Sequence, residues 1–158
     1  MILDSRPVLL LVDDEPLNLQ VLRQILQGEY RLLFAKDGIK ALELAEKEVP
    51  ALILLDVMMP GMDGYTVLHH LRSHTRTQDI PVIFVTAMGA EKDEEFGLDV
   101  GAADYITKPL RPAVVLARVR AQLEVKHARD WLKDQNAFLE AEVSRRLADY
   151  TRAQNVTI

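Results

Sequence analysis

The sequence predicts an α/β fold: a doubly wound, five-stranded parallel sheet followed by a long C-terminal helix. Three observations carry this. Short apolar runs recur along the chain, and several lack the alternation of a half-exposed strand, as strands buried on both faces do. Segments of helical type lie between them, and Gly38, Gly61, Gly64, Gly89 and Gly101 punctuate the connections. Repeated strand–helix alternation gives a parallel sheet, and right-handed crossovers place helices on both of its faces.

The elements follow in order. The first strand is "VLLLV" (8–12). A helix over 16–27 follows, with Pro16 at an early helical position after Asp14 and Glu15, a good start signal. "RLLFA" (31–35) is the second strand, then a helix over 38–48. "ALILL" (51–55) is the third strand, followed by an irregular stretch with Pro60 and Gly61 and a helix over 63–73. "VIFVT" (82–86) is the fourth strand, with Phe84 read as core. A helix over 91–98 holds the acidic run "EKDEEFG", read as a solvated face, and "ADYIT" (103–107) is a weaker fifth strand.

After Pro112 no Gly or Pro occurs through Ile158. A helix over 111–150 would run about 60 Å at ~1.5 Å per residue, more than a domain of this size can cover. Val115, Leu116 and Val119 can pack on the sheet, and the rest is expected to project. Val125, Ala128, Leu132, Gln135, Leu139, Val143, Leu147 and Tyr150 are spaced 3, 4, 3, 4, 4, 4 and 3, which keeps one face apolar. The stripe suits packing on a domain absent from this chain, or a parallel coiled coil joining two copies. The coiled coil is the expectation here, with the 4-4-4 run as a stutter. The expected division is a domain over 1–123 and a linker or coiled-coil helix over 124–158.

Composition narrows the function classes. Of 158 residues, 49% are hydrophobic and 27% charged, an ordinary globular profile. Residues 1–123 carry 13 Lys+Arg against 18 Asp+Glu, while residues 124–158 carry six of each. The net charge of −5 argues against a nucleic-acid partner. No cysteine is present, so neither a disulfide framework nor thiolate chemistry is available. "MILDSRPVLLLVDD" does not read as a signal peptide, and no stretch nears the ~18 apolar residues of a membrane span. The expected location is the cytoplasm, with no membrane partner.

In a parallel α/β sheet ligands bind outside the carboxyl ends of the strands. Those ends carry Asp13 and Asp14, then Asp56, Thr86 and Lys108. Singly, each has an ordinary reading: helix caps, a strand-end carboxylate, a β-branched strand residue, a surface charge. Together they form a site. Three carboxylates raise one another's pKa unless a cation compensates, and Mg²⁺ suits hard oxygen ligands and bridges carboxylates to phosphate. Lys108 can pair with an anion opposite the metal, and Thr86 can donate a hydrogen bond to it. The set fits phosphoryl transfer, with Asp56 as nucleophile forming an acyl phosphate. His70 and His74 are four apart but read as surface histidines, because no carboxylate or third ligand stands at matching spacing.

These residues resemble the receiver domain of two-component response regulators. The resemblance covers about residues 7–122 and rests on "VDDEP", "LLDVMMPGMDG", "VTA" and "DYITKP", with 30 residues from Asp56 to Thr86 and 22 from Thr86 to Lys108. It implies the flavodoxin-like strand order 2-1-3-4-5. It implies Mg²⁺ held by Asp14, Asp56 and the main-chain carbonyl of Met58, with Asp13 acting through water. It implies a cis Lys108–Pro109 bond. It also implies a histidine kinase or phosphotransfer protein as phosphodonor, and Tyr105 as a switch aromatic that turns inward as Thr86 moves. The segment would catalyse only its own phosphorylation and slow hydrolysis.

Two rivals are weaker. A haloacid dehalogenase type phosphatase wants a second acid two residues after the nucleophile, where Met58 stands. A degenerate receiver acting as a dimerisation scaffold is opposed by the intact acid pair, Thr86 and Lys108. The C-terminal stretch resembles the linker of receivers fused to HD-GYP cyclic di-GMP phosphodiesterases, and receivers fused to diguanylate cyclases carry a similar helix. No "HD", "GYP" or "GGDEF" occurs here. The expectation is a fragment of a longer protein controlling cyclic di-GMP turnover, or a stand-alone receiver whose tail makes a homodimer.

Overall fold

The computed structural model describes residues 4–87 and 101–156. Its elements are β1 (Val8–Val12), α1 (Pro16–Leu26), β2 (Arg31–Ala35), α2 (Gly38–Glu48), β3 (Leu52–Asp56), α3 (Gly64–Arg72), β4 (Val82–Thr86), β5 (Asp104–Thr107) and α4 (Pro112–Val156). The helix expected at 91–98 lies outside the described residues. The sheet is parallel throughout, in the order β2-β1-β3-β4-β5.

The unbroken apolar runs now have a cause. Leu10 pairs with Ile53, and Ile53 with Val82, so these three stand in one row across the sheet. They face a cluster with Ala41 and Ala45 of α2 and Val67, Leu68 and Leu71 of α3. Their neighbours Leu9, Leu11, Leu52, Leu54, Ile83, Val85 and Ile106 face the other side, against Leu19, Leu22 and Leu26 of α1 and Val115 and Val119 of α4. A central strand with helices on both faces buries every side chain, so period two disappears. Each such Leu, Ile or Val contributes about 1.5–3 kcal/mol by leaving water.

Helix starts and stops are set locally. The Asp37 carboxylate accepts from the Lys40 amide at 2.7 Å, and Asp63 accepts from the Thr66 amide at 2.9 Å, capping α2 and α3. Helix α2 ends on Val49, whose φ of +43° is the left-handed turn, and Pro50 follows. Gly64 opens α3 because nothing larger fits: a Cβ there would stand 2.5 Å from the Asp56 carbonyl oxygen. The Gly64 amide instead donates to the Val57 carbonyl at 2.9 Å, tying the start of α3 to the end of β3.

The chain divides into two units, Met1–Leu123 and Glu124–Ile158. The described residues of the second are helical. It carries Lys126–Asp130 at 2.7 Å, Glu142 with Arg145 and Arg146, and Asp149–Arg152 at 3.6 Å as ion pairs one turn apart. Val125, Leu132, Leu139, Val143, Leu147 and Tyr150 of the apolar stripe are exposed, as are Trp131 and Phe138 beside it. No helix among the described residues is long and apolar enough to cross a membrane.

Candidate functional site

The carboxyl ends of β1, β3, β4 and β5 bring the expected residues together. Asp13, one residue past β1, is 1% exposed, and its amide donates to the Ala35 carbonyl at 3.1 Å. Its carboxylate accepts from the Glu15 amide at 2.9 Å, so the cap reading has a basis, although the residue directly before α1 is Glu15. Asp14 is half-buried. Asp56 is the last residue of β3 and 5% exposed, paired with Val85 of β4. One carboxylate oxygen from each of Asp13, Asp14 and Asp56 lies within 4.8 Å of the others.

Lys108 supplies the cation. Its Nζ stands 3.6 Å from Asp13 Oδ2 and 3.6 Å from Asp56 Oδ1. Its amide donates to the Thr86 carbonyl at 2.7 Å, which fixes the loop after β5 against the end of β4. The Lys108–Pro109 peptide is cis. Thr86 is 3% exposed, and its buried Oγ1 has no hydrogen-bond partner among the described residues.

The electrostatics are unbalanced in the same sense. Burial, and then the Asp13 charge, push the Asp56 carboxyl up to about 6, against the pull of Lys108 and of the Met58 backbone amide. Met58 itself is 75% exposed. Three carboxylates face one ammonium, which leaves room for a divalent cation. An all-oxygen donor set in a small, partly buried cluster fits Mg²⁺ better than a softer metal.

Tyr105 sits on β5 opposite Phe84 and is half-buried against the α2–α3 side of the core. The Arg118 guanidinium lies 5.5 Å from its ring centroid and also pairs with Asp104 at 3.0 Å. Phe84 is 1% exposed and packs edge-on against Tyr65, with ring centroids 5.2 Å apart, as core. His74 Nε2 lies 3.7 Å from Glu46, so the carboxylate missing at helical spacing is brought across from α2. Even so, Asp13, Asp14 and Asp56 form the single metal-sized cluster among the described residues. Sequence reasoning missed Arg118 and Asp104. An Arg fourteen residues from an Asp carries no local signal, and only the packing of α4 on β5 joins them.

Comparison with known proteins agrees with this geometry. Residues 9–120 match the family model of the response regulator receiver domain. A "probable cyclic di-GMP phosphodiesterase" of Vibrio cholerae is 38% identical over 98% of this chain and 35% of its own length. The response regulator PleD of Caulobacter vibrioides is 42% identical over 82% of this chain and 29% of its own. The chain thus spans about a third of these relatives. Among solved structures, the receiver domain of sensor histidine kinase PA1611 from Pseudomonas aeruginosa, with magnesium coordinated in its active-site cleft, matches with a TM-score of 0.70 and 30% identity. That match covers 76% of this chain and 99% of the other. The chemotaxis protein CheY4 of Vibrio cholerae matches with a TM-score of 0.70 and 28% identity, over 74% of this chain and 98% of its own.

Proposed function

Because the chain belongs to the response-regulator receiver family, we propose that it accepts a phosphoryl group on Asp56 from a sensor histidine kinase or phosphotransfer protein and uses it as a conformational switch. The observation that carries this is the cluster of Asp13, Asp14 and Asp56 with Lys108 Nζ 3.6 Å from two of them. Mg²⁺ would be held by Asp14, Asp56 and the Met58 main-chain carbonyl, with Asp13 acting through water, and would neutralise phosphoryl oxygens. Asp56 Oδ attacks phosphorus, the P–N bond of the donor phosphohistidine breaks, and its electron pair leaves with the imidazole. Lys108 balances charge on the transferring group, and Thr86 Oγ1 donates a hydrogen bond to it.

The switch rests on Thr86 and Tyr105. As Thr86 moves toward the new phosphoryl oxygens, Tyr105 turns into the space beside β4. The output is dimerisation through the C-terminal helix, and in the longer protein control of cyclic di-GMP turnover. The exposed apolar residues of that helix and the two multidomain relatives support these parts. The test is incubation with Mg²⁺ and acetyl phosphate or beryllofluoride. The parent gains one phosphoryl group by intact mass and Asp56→Asn gains none. A parent that takes no phosphate, or an Asp56→Asn variant that takes as much, overturns the proposal in favour of a scaffold.

A further inference from the structure

A second polar concavity lies beside the acidic cluster and is of opposite charge. It is a cleft of about 260 Å³ at the start of α4, lined among the described residues by Thr107, Lys108, Pro109, Arg111, Val114 and Arg118. Three of these six are cations and none is an acid. Helix α4 begins here with Pro112, and its first turn carries no acidic residue.

The cations are under-used. Arg118 spends Nη1 on both oxygens of Asp104, at 3.0 and 3.1 Å, while its buried Nε has no hydrogen-bond partner among the described residues. Its Nη2 makes no hydrogen bond among the described residues. Arg111 is exposed and has no ion pair among the described residues. With Lys108 turned to Asp13 and Asp56, Asp104 is the one carboxylate shown against the two Arg residues among the described residues. A planar guanidinium fork and a second Arg around one hollow are elements that recognise phosphate oxygens.

We propose that this cleft is a binding site for a small molecule carrying a phosphate or pyrophosphate group, distinct from the phosphoacceptor site. The ligand would lie between Arg111 and Arg118 at the α4 N-terminus, with Thr107 as a further donor. Lys108 borders both sites but is committed to Asp13 and Asp56, so the two Arg residues set the affinity. Because Arg118 also holds Asp104 and lies over Tyr105, an occupant competes for the group that steadies the switch aromatic.

Inorganic pyrophosphate is the probe, titrated calorimetrically into the full chain in EDTA, so that no metal bridges the anion to the carboxylates. Saturable binding is expected with a Kd on the order of 1 mM or below, weakening as salt rises. Arg111→Ala and Arg118→Lys should each weaken it about tenfold or more, the latter because it keeps the charge and removes the fork. Asp56→Asn should leave it in place, which separates this result from the phosphoacceptor reading. Absence of binding up to about 10 mM overturns the proposal, as does equal affinity in Arg111→Ala and Arg118→Lys. A hexaglutamate peptide that binds more tightly than pyrophosphate also overturns it, since the cleft would then be part of a protein interface.

Discussion

Replacing Asp56 by Asn should stabilise the metal-free chain, and by an amount set by pH. The Asp56 carboxyl is raised from an ordinary 3.8 to about 6, chiefly by burial and then by Asp13. The folded state therefore holds its proton more tightly than the unfolded state. Between those two values unfolding releases a proton, so stability falls as pH rises and the penalty is complete above the folded value. At ~1.4 kcal/mol per pH unit the ionised carboxylate costs the fold about 3 kcal/mol at pH 8. Asn keeps the shape without the charge, and the net rise already contains the favourable contacts of the carboxylate with Lys108 and the Met58 amide. The variant should thus be about 3 kcal/mol more stable than the parent at pH 8, a difference that largely disappears by pH 4. Urea unfolding in EDTA across that range measures it, with an unchanged m-value showing that the same surface is exposed. Parallel pH curves for the two proteins, or an Asn variant less stable at pH 8, would refute the reasoning. Excess Mg²⁺ should favour the parent, since only it keeps the full donor set.

Other outcomes follow from the same geometry. Lys108→Ala should bind Mg²⁺ more tightly, by roughly tenfold, because a cation near two of the ligands is gone. The same variant should lose phosphoryl transfer, as a metal titration paired with a phosphorylation time course would show. Leu54→Ala removes a wholly buried side chain from the central strand and should cost about 2–5 kcal/mol by denaturant unfolding. Gly64→Ala forces a Cβ toward the Asp56 carbonyl, so it should cost about 1–3 kcal/mol and slow phosphorylation by displacing the β3–α3 loop. Leu132→Asp combined with Leu139→Asp should leave the receiver's unfolding midpoint unchanged and abolish any dimer seen by sedimentation.

How much of this the sequence could tell depends on the range of the forces involved. The strands were legible because burial on both faces writes an unbroken apolar run, and α1 because Pro16 marks its first turn. The site was legible because its members sit at strand ends, where the topology brings them together. Boundaries shifted where local and tertiary terms compete. The apolar run of the third strand ends at Leu55, yet Asp56 pairs with Val85 as the last strand residue. Contacts between elements left no trace. Arg72 donates to the carbonyls of Gln78, Ile80 and Gly101, and His74 meets Glu46, because α3 packs beside the next loops and α2. No periodicity encodes such partners.

The same distinction explains why Asp56 stands at the strand end and not in the loop that follows. A loop carboxylate would be solvated, keep an ordinary pKa and bind a cation weakly through water. Placed as the last strand residue it is fixed by pairing on one side and stripped of water by the sheet, which is what raises its pKa. That desolvation is a cost to the bare fold, and it is relieved by the species the site is proposed to take, a divalent cation and a phosphoryl group. The strength of the site and the instability of its empty form therefore have one cause. Any substitution that exposes Asp56 to solvent should stabilise the empty protein and weaken Mg²⁺ binding together.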